Sequence, residues 1–95
     1  MSGFRIVASE LIRQQMRQLT VTATLEGRDR ELLAAYEYMV QRLTTDPLVF
    51  GEPRYYLREM DLHVRRAGIA PILLNYGVNV EYHFVVLQGI DLMSP

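Results

Sequence analysis

The side chains able to do chemistry are concentrated in the second half of this 95-residue sequence. Arg54, Arg58, Arg65 and Arg66 fall within thirteen consecutive positions, His63 lies among them, and Tyr76 and His83 follow. An arginine pair can grip the oxygens of a phosphodiester, and a nearby histidine or tyrosine can move the proton that its cleavage requires. On this reasoning Arg65 and Arg66 would hold phosphate and stabilise a pentacoordinate transition state. His63 or His83 would act as acid or base, and Tyr76 is a further candidate catalytic residue. Tyr55 and Tyr56, beside Arg54 and Arg58, offer flat rings on which bases could stack next to a phosphate-binding arginine. Each of these residues also has a plain structural reading. Arg65 and Arg66 would flank a hairpin turn as solubilising edge residues. Both histidines would be ordinary surface or half-buried side chains, and Tyr76 would belong to the core.

Composition removes several chemistries. The chain has no cysteine, so disulfides, thiolate zinc sites and cysteine nucleophiles are excluded. All ten basic residues are arginine, which rules out lysine Schiff bases and a P-loop lysine. The histidines stand alone, without metal-ligand spacing, and the glycines are scattered singly, so no metal or cofactor site is expected. Ser2, Ser9 and Ser94 lack the context of a nucleophile elbow. A net charge of −1 argues against bulk attraction to nucleic acid or anionic membrane, while leaving room for a local basic patch. With 49% hydrophobic residues the chain can build one core, and a single domain over residues 1–95 is expected. No apolar run approaches the ~20 residues of a membrane span, and the N-terminus has no signal-peptide pattern, so the expected compartment is the cytoplasm.

The elements that must position these residues follow from hydrophobic periodicity. Phe4 to Val7 reads as a short strand. Ser9 then caps a helix whose apolar residues Ile12, Met16, Leu19 and Ala23 form one face, and Gly27 marks its end. A second helix, with Asp29 as its cap, carries Leu32, Leu33, Tyr36, Met39, Val40 and Leu43 at helical spacing and stops before Pro47. The two helices form an antiparallel hairpin. Phe50-Gly51-Glu52-Pro53 is a turn. Strands follow at Tyr55–Met60 and Leu62–Arg66, with a turn at Ala67-Gly68, then at Ile72–Val78 and Tyr82–Ile90.

The expected fold is α+β in the order β-α-α-β-β-β(-β), a two-helix hairpin packed on one face of a mainly antiparallel sheet. Centring the last hairpin near Val80 places Ile72, Leu74, Tyr76 and Val78 on the same face as Tyr82, Phe84, Val86 and Ile90, whereas a one-residue slip would mix that set with His83 and Asp91. The opposite face would hold Leu73, Asn75 and Gly77 beside His83, Val85, Leu87 and Gly89. Two helices leave that second face uncovered, and its Leu73, Val85 and Leu87 call for a partner, a second subunit or a ligand.

This order of elements resembles the RelE/ParE superfamily of bacterial toxins. So do the amphipathic helix hairpin, the Asp46-Pro47-Leu48-Val49-Phe50-Gly51-Glu52-Pro53 connection, and the Leu74-Asn75-Tyr76-Gly77-Val78 strand followed by Phe84-Val85-Val86-Leu87. The resemblance spans nearly the whole chain. It implies a toxin-like protein of a bacterial toxin–antitoxin system, either cleaving mRNA on the ribosome or poisoning DNA gyrase, and neutralised by an antitoxin segment. Ribonuclease members carry an arginine on the strand matching Ile72–Tyr76 and a histidine, arginine or tyrosine in the C-terminal tail. This chain has an arginine in neither place, so Arg65, Arg66, Tyr76 and His83 stand in for them. A non-catalytic domain of the same fold, binding a partner or forming a homodimer through its second sheet face, is the alternative.

Overall fold

The computed structural model describes residues 3–93 and has the expected α+β architecture. Strand β1 (Arg5–Val7) leads into helices α1 (Glu10–Leu25) and α2 (Asp29–Thr45) and a single helical turn, α3 (Pro47–Phe50). Strands β2 (Glu52–Leu57), β3 (Leu62–Ile69), β4 (Ile72–Asn79) and β5 (Phe84–Leu92) complete the chain. They form one five-stranded sheet in the order β1-β5-β4-β3-β2. β1 runs parallel to β5, and the other pairs are antiparallel.

Local chemistry accounts for the helix ends. The Ser9 hydroxyl accepts a hydrogen bond from the Ile12 amide at 3.2 Å, satisfying one of the donors left free at the start of α1. At its other end Gly27 takes a φ of 71°, which costs glycine little, and the Arg28 amide folds back onto the Ala23 carbonyl. α2 therefore begins at once, antiparallel to α1. Asp29 is not its cap: it is the first helical residue, and with Glu31 it places negative charge at the positive end of the helix dipole. Ile12 and Ala23 of α1, and Leu32, Ala35, Met39 and Leu43 of α2, are buried against the sheet. Leu33 and Val40 stay exposed, because they lie at the outer margin of the apolar stripe.

The strands differ from expectation in two instructive ways. β3 runs straight through Ala67 and Gly68, which pair with Leu74 and Leu73, and the chain reverses at Ala70-Pro71 instead. The second difference is a bulge. Asn75 faces Gly89 while Tyr76 faces Leu87, so Gln88 is an extra residue on β5. One inserted residue reverses the pleat. Val85, Leu87 and Ile90 therefore share the helix-covered face with Ile72, Leu74, Tyr76 and Val78, whereas Phe84 and Val86 lie on the open face. The expected assignment had Val85 and Leu87 exchanged with Phe84 and Val86, because it assumed alternation without interruption, while Ile90, beyond the bulge, lies on the expected face.

The open face also covers much of its own apolar surface. Leu62 and Val64 lie on it, yet they are only 1% and 3% exposed. Gly77 makes this possible, since a Cβ there would come within 3.2 Å of the Leu62 side chain. Leu73, Phe84 and Val86 are half-buried. The central apolar residues of this face are thus already removed from water without a partner. Leu62→Ala should accordingly destabilise the protein like a core substitution, by about 2–5 kcal/mol in urea denaturation. A cost of only a few tenths would mean that this face is solvated.

Candidate functional site

The route from the helix layer to the sheet edge is held by one buried tyrosine. The Tyr76 hydroxyl donates to the Pro47 carbonyl at 2.7 Å and accepts from the Gly51 amide at 2.8 Å. Arg65 donates from Nη2 to the Gly51 carbonyl, so both backbone polar groups of Gly51 are engaged. Glycine is needed here, because a Cβ would lie 2.8 Å from both the Arg66 carbonyl and the Tyr76 hydroxyl. Phe50 stacks on Tyr76 with ring centroids 6.0 Å apart and carries the Arg42 guanidinium 5.0 Å above its own ring. Arg42 in turn pairs with Asp46 at 2.8 Å, which holds the Asp46 carboxyl below the usual range.

This clamp delivers Glu52 to the first position of β2, directly opposite Arg66. The register then shifts between Pro53 and Tyr55, and Arg54 sits at the shift, where a bulge can re-aim a side chain. The result is a cleft of about 450 Å³ lined by the charged residues Glu52, Arg54 and Arg66. Phe50, Gly51, Ala67, Gly68 and Leu73 complete its lining, and a Cβ at Gly68 would meet the Met93 side chain at 2.9 Å. The ion pairs among the described residues are Arg17–Glu10, Arg28–Glu26 and Arg42–Asp46. Arg54 and Arg66 thus take no carboxylate partner, although Glu52 shares their cleft. Two free guanidinium groups suit the oxygens of a phosphate, and a carboxylate beside them is a proton acceptor.

Of the candidate catalytic residues named from sequence, only Arg66 reaches this cleft, where it is joined by Arg54, which the sequence offered as a phosphate-binding arginine beside Tyr55 and Tyr56. Arg65 is the neighbour of Arg66 in the strand and therefore faces the other way. Its guanidinium is bound to Gly51, and its Nε is buried without a hydrogen-bond partner. Tyr76 is fully buried; burial raises its pKa, an effect the bond from Gly51 and the nearby Arg65 partly offset. His63 is exposed on the other face of β3, with its ring 4.8 Å from that of Tyr56. His83 lies in the turn before β5 at a φ of 54°, its ring 5.0 Å from Phe4. Two strand spacings keep His83 from His63 and Arg66, and the pleat of β3 sets His63 on the face opposite Arg66. Ser9 is a helix cap, whereas Ser2, Ser94 and Pro95 lie outside the described residues.

Glu52 is the residue that sequence reading missed, and Arg54 was named only beside the tyrosines, not with Arg66. Gly51-Glu52-Pro53 has the composition of a turn, which hides that Glu52 starts a strand. Only the β2–β3 pairing sets it against Arg66, and that pairing depends on a bulge and on the 3₁₀ turn at Arg58–Met60. No family model, curated protein or solved structure matches this chain.

The clamp can be tested by titration. The folded state raises the Tyr76 pKa, so the stability contributed by the neutral phenol is present below its ordinary value of about 10 and is lost as pH rises through the folded value. Alkaline unfolding monitored by circular dichroism should therefore contain a step that Tyr76→Phe lacks. At neutral pH the same variant should be less stable by about 1–3 kcal/mol, because a buried amide and a buried carbonyl lose their partner.

Proposed function

We propose that this chain is a toxin-like protein of the RelE/ParE type whose open-face cleft cleaves RNA. The observation that carries this reading is the convergence of Glu52, Arg54 and Arg66 in one cleft, with both guanidinium groups free of carboxylates. Arg54 and Arg66 bind the non-bridging oxygens of a phosphodiester. The Glu52 carboxylate takes the proton of the adjacent ribose 2′-hydroxyl, whose oxygen attacks phosphorus. The bond to the 5′-oxygen breaks, and that oxygen leaves with a proton from water. The products are a 2′,3′-cyclic phosphate and a 5′-hydroxyl. Charge builds on the equatorial oxygens of the pentacoordinate state, where the two arginines stabilise it most.

A net charge of −1 gives the protein little long-range attraction for free RNA. A larger body must then present the strand, and the translating ribosome of the cytoplasm fits that requirement. A protein with this activity needs restraint, which an antitoxin would supply. Among the described residues no helix is long and apolar enough to cross a membrane.

Induced expression in a bacterium, with pulse-labelling of protein and DNA synthesis, tests the target. A prompt fall in protein synthesis is expected, and DNA-first arrest would point to gyrase instead. With purified protein, message should be cut in the presence of translating ribosomes, and Glu52→Gln or Arg66→Ala should each lower kcat by about 10²–10³ without loss of fold. Normal growth with abundant folded protein and intact message would favour the non-catalytic interaction domain.

A further inference from the structure

We infer that Tyr55 is a base-stacking platform that seats the nucleotide next to the phosphate held by Arg54 and Arg66, a reading that rests on RNA being the substrate. The two adjacent tyrosines of β2 have opposite fates. Tyr56 is already engaged: its hydroxyl donates to Asp61 Oδ1 at 2.5 Å and its ring lies against His63. Tyr55 is 57% exposed, and among the described residues nothing holds its hydroxyl and no aromatic ring stacks on it.

The register decides where that free ring stands. Tyr55 pairs with Val64 and Glu52 pairs with Arg66, and directly paired residues of antiparallel strands share a face. Val64 and Arg66 are two residues apart on β3, so they too share a face. Tyr55 is therefore on the cleft's side of the sheet, about 7 Å along it from the Glu52–Arg66 pair at ~3.4 Å per residue. That interval is within the reach of one nucleotide. Val64, only 3% exposed, supports the ring from the neighbouring strand and leaves an aromatic face open to solvent. Arginines that hold backbone phosphates, flanked by an exposed aromatic ring, are the working parts of a single-strand binding surface. The ligand class is single-stranded RNA with an unpaired base beside the bound phosphate, taken with little sequence preference, because every base has a π-face.

A fluorescently labelled 2′-O-methyl hexaribonucleotide, which lacks the attacking hydroxyl, is the probe. Its affinity is read by anisotropy at low ionic strength, where arginine–phosphate contacts are strongest. Tyr55→Ala should weaken binding about 5- to 150-fold, and Tyr55→Leu, which keeps the contact with Val64 but has no aromatic face, should do the same. Tyr55→Phe should bind like the unaltered protein, as should Tyr56→Ala. Arg66→Ala should weaken binding and reduce the slope of affinity against salt by about one contact. If Arg66→Ala loses affinity while Tyr55→Ala and Tyr55→Leu do not, the platform is overturned and the RNA reading stands. If the unaltered protein binds the probe neither free at low salt nor as the message held by a ribosome, both are overturned.

Discussion

The Tyr76 hydroxyl, bridging the Pro47 carbonyl and the Gly51 amide from inside the core, is the contact on which the arrangement of the cleft depends. After α2 the chain must leave the helix layer and reach the far edge of the sheet. Its backbone polar groups lose water on the way and need partners. Regular structure cannot supply them, because α3 is one turn long. A phenol on the central strand can, since one oxygen both donates and accepts. The Arg42–Asp46 pair closes the outer side of the same crossing, but it is solvated and contributes little by comparison. The buried phenol therefore fixes Gly51, and Gly51 fixes where Glu52 enters the sheet.

The same geometry divides two adjacent arginines between two tasks. Arg65 spends its guanidinium on the Gly51 carbonyl and leaves Nε unpaired, which costs desolvation energy. Arg66, one residue on, faces the cleft with its donors free of any carboxylate. The pleat of a strand allows this separation and no flexible segment is involved. The balance of charge works in the same direction. The ion pairs of the described residues engage Arg17, Arg28 and Arg42, so a slightly acidic chain still presents Arg54 and Arg66 uncommitted in one place.

Much of the architecture was legible in the residues. Ser9 and the Ile12–Ala23 stripe marked α1, Pro47 marked the end of α2, and the change of period after Tyr55 marked the sheet. These signals are local, and local backbone preference with side-chain periodicity is enough to produce them. The order of the elements and the helix-covered face of β4 followed from the same pattern, whereas the face of Phe84–Leu87 did not.

The cleft was not legible, because its parts are brought together by pairing between strands. Arg54 and Arg66 could be named as candidates from their residue type, but Glu52, and the meeting of all three, come only from the β2–β3 register and its shift. Gln88 shows why register escapes sequence: one extra residue reverses the faces of half of β5, and nothing in Leu87-Gln88-Gly89 announces it. Arg65 and Tyr76 passed for chemistry on type alone, and burial made them structural. The two long helices and the presence of the later strands are written in neighbours along the chain, although the start of β2 and the run of β3 through Ala67-Gly68 are not. Which arginine faces solvent, and what stands opposite it, depends on contacts between residues far apart in sequence, and so is set by the fold.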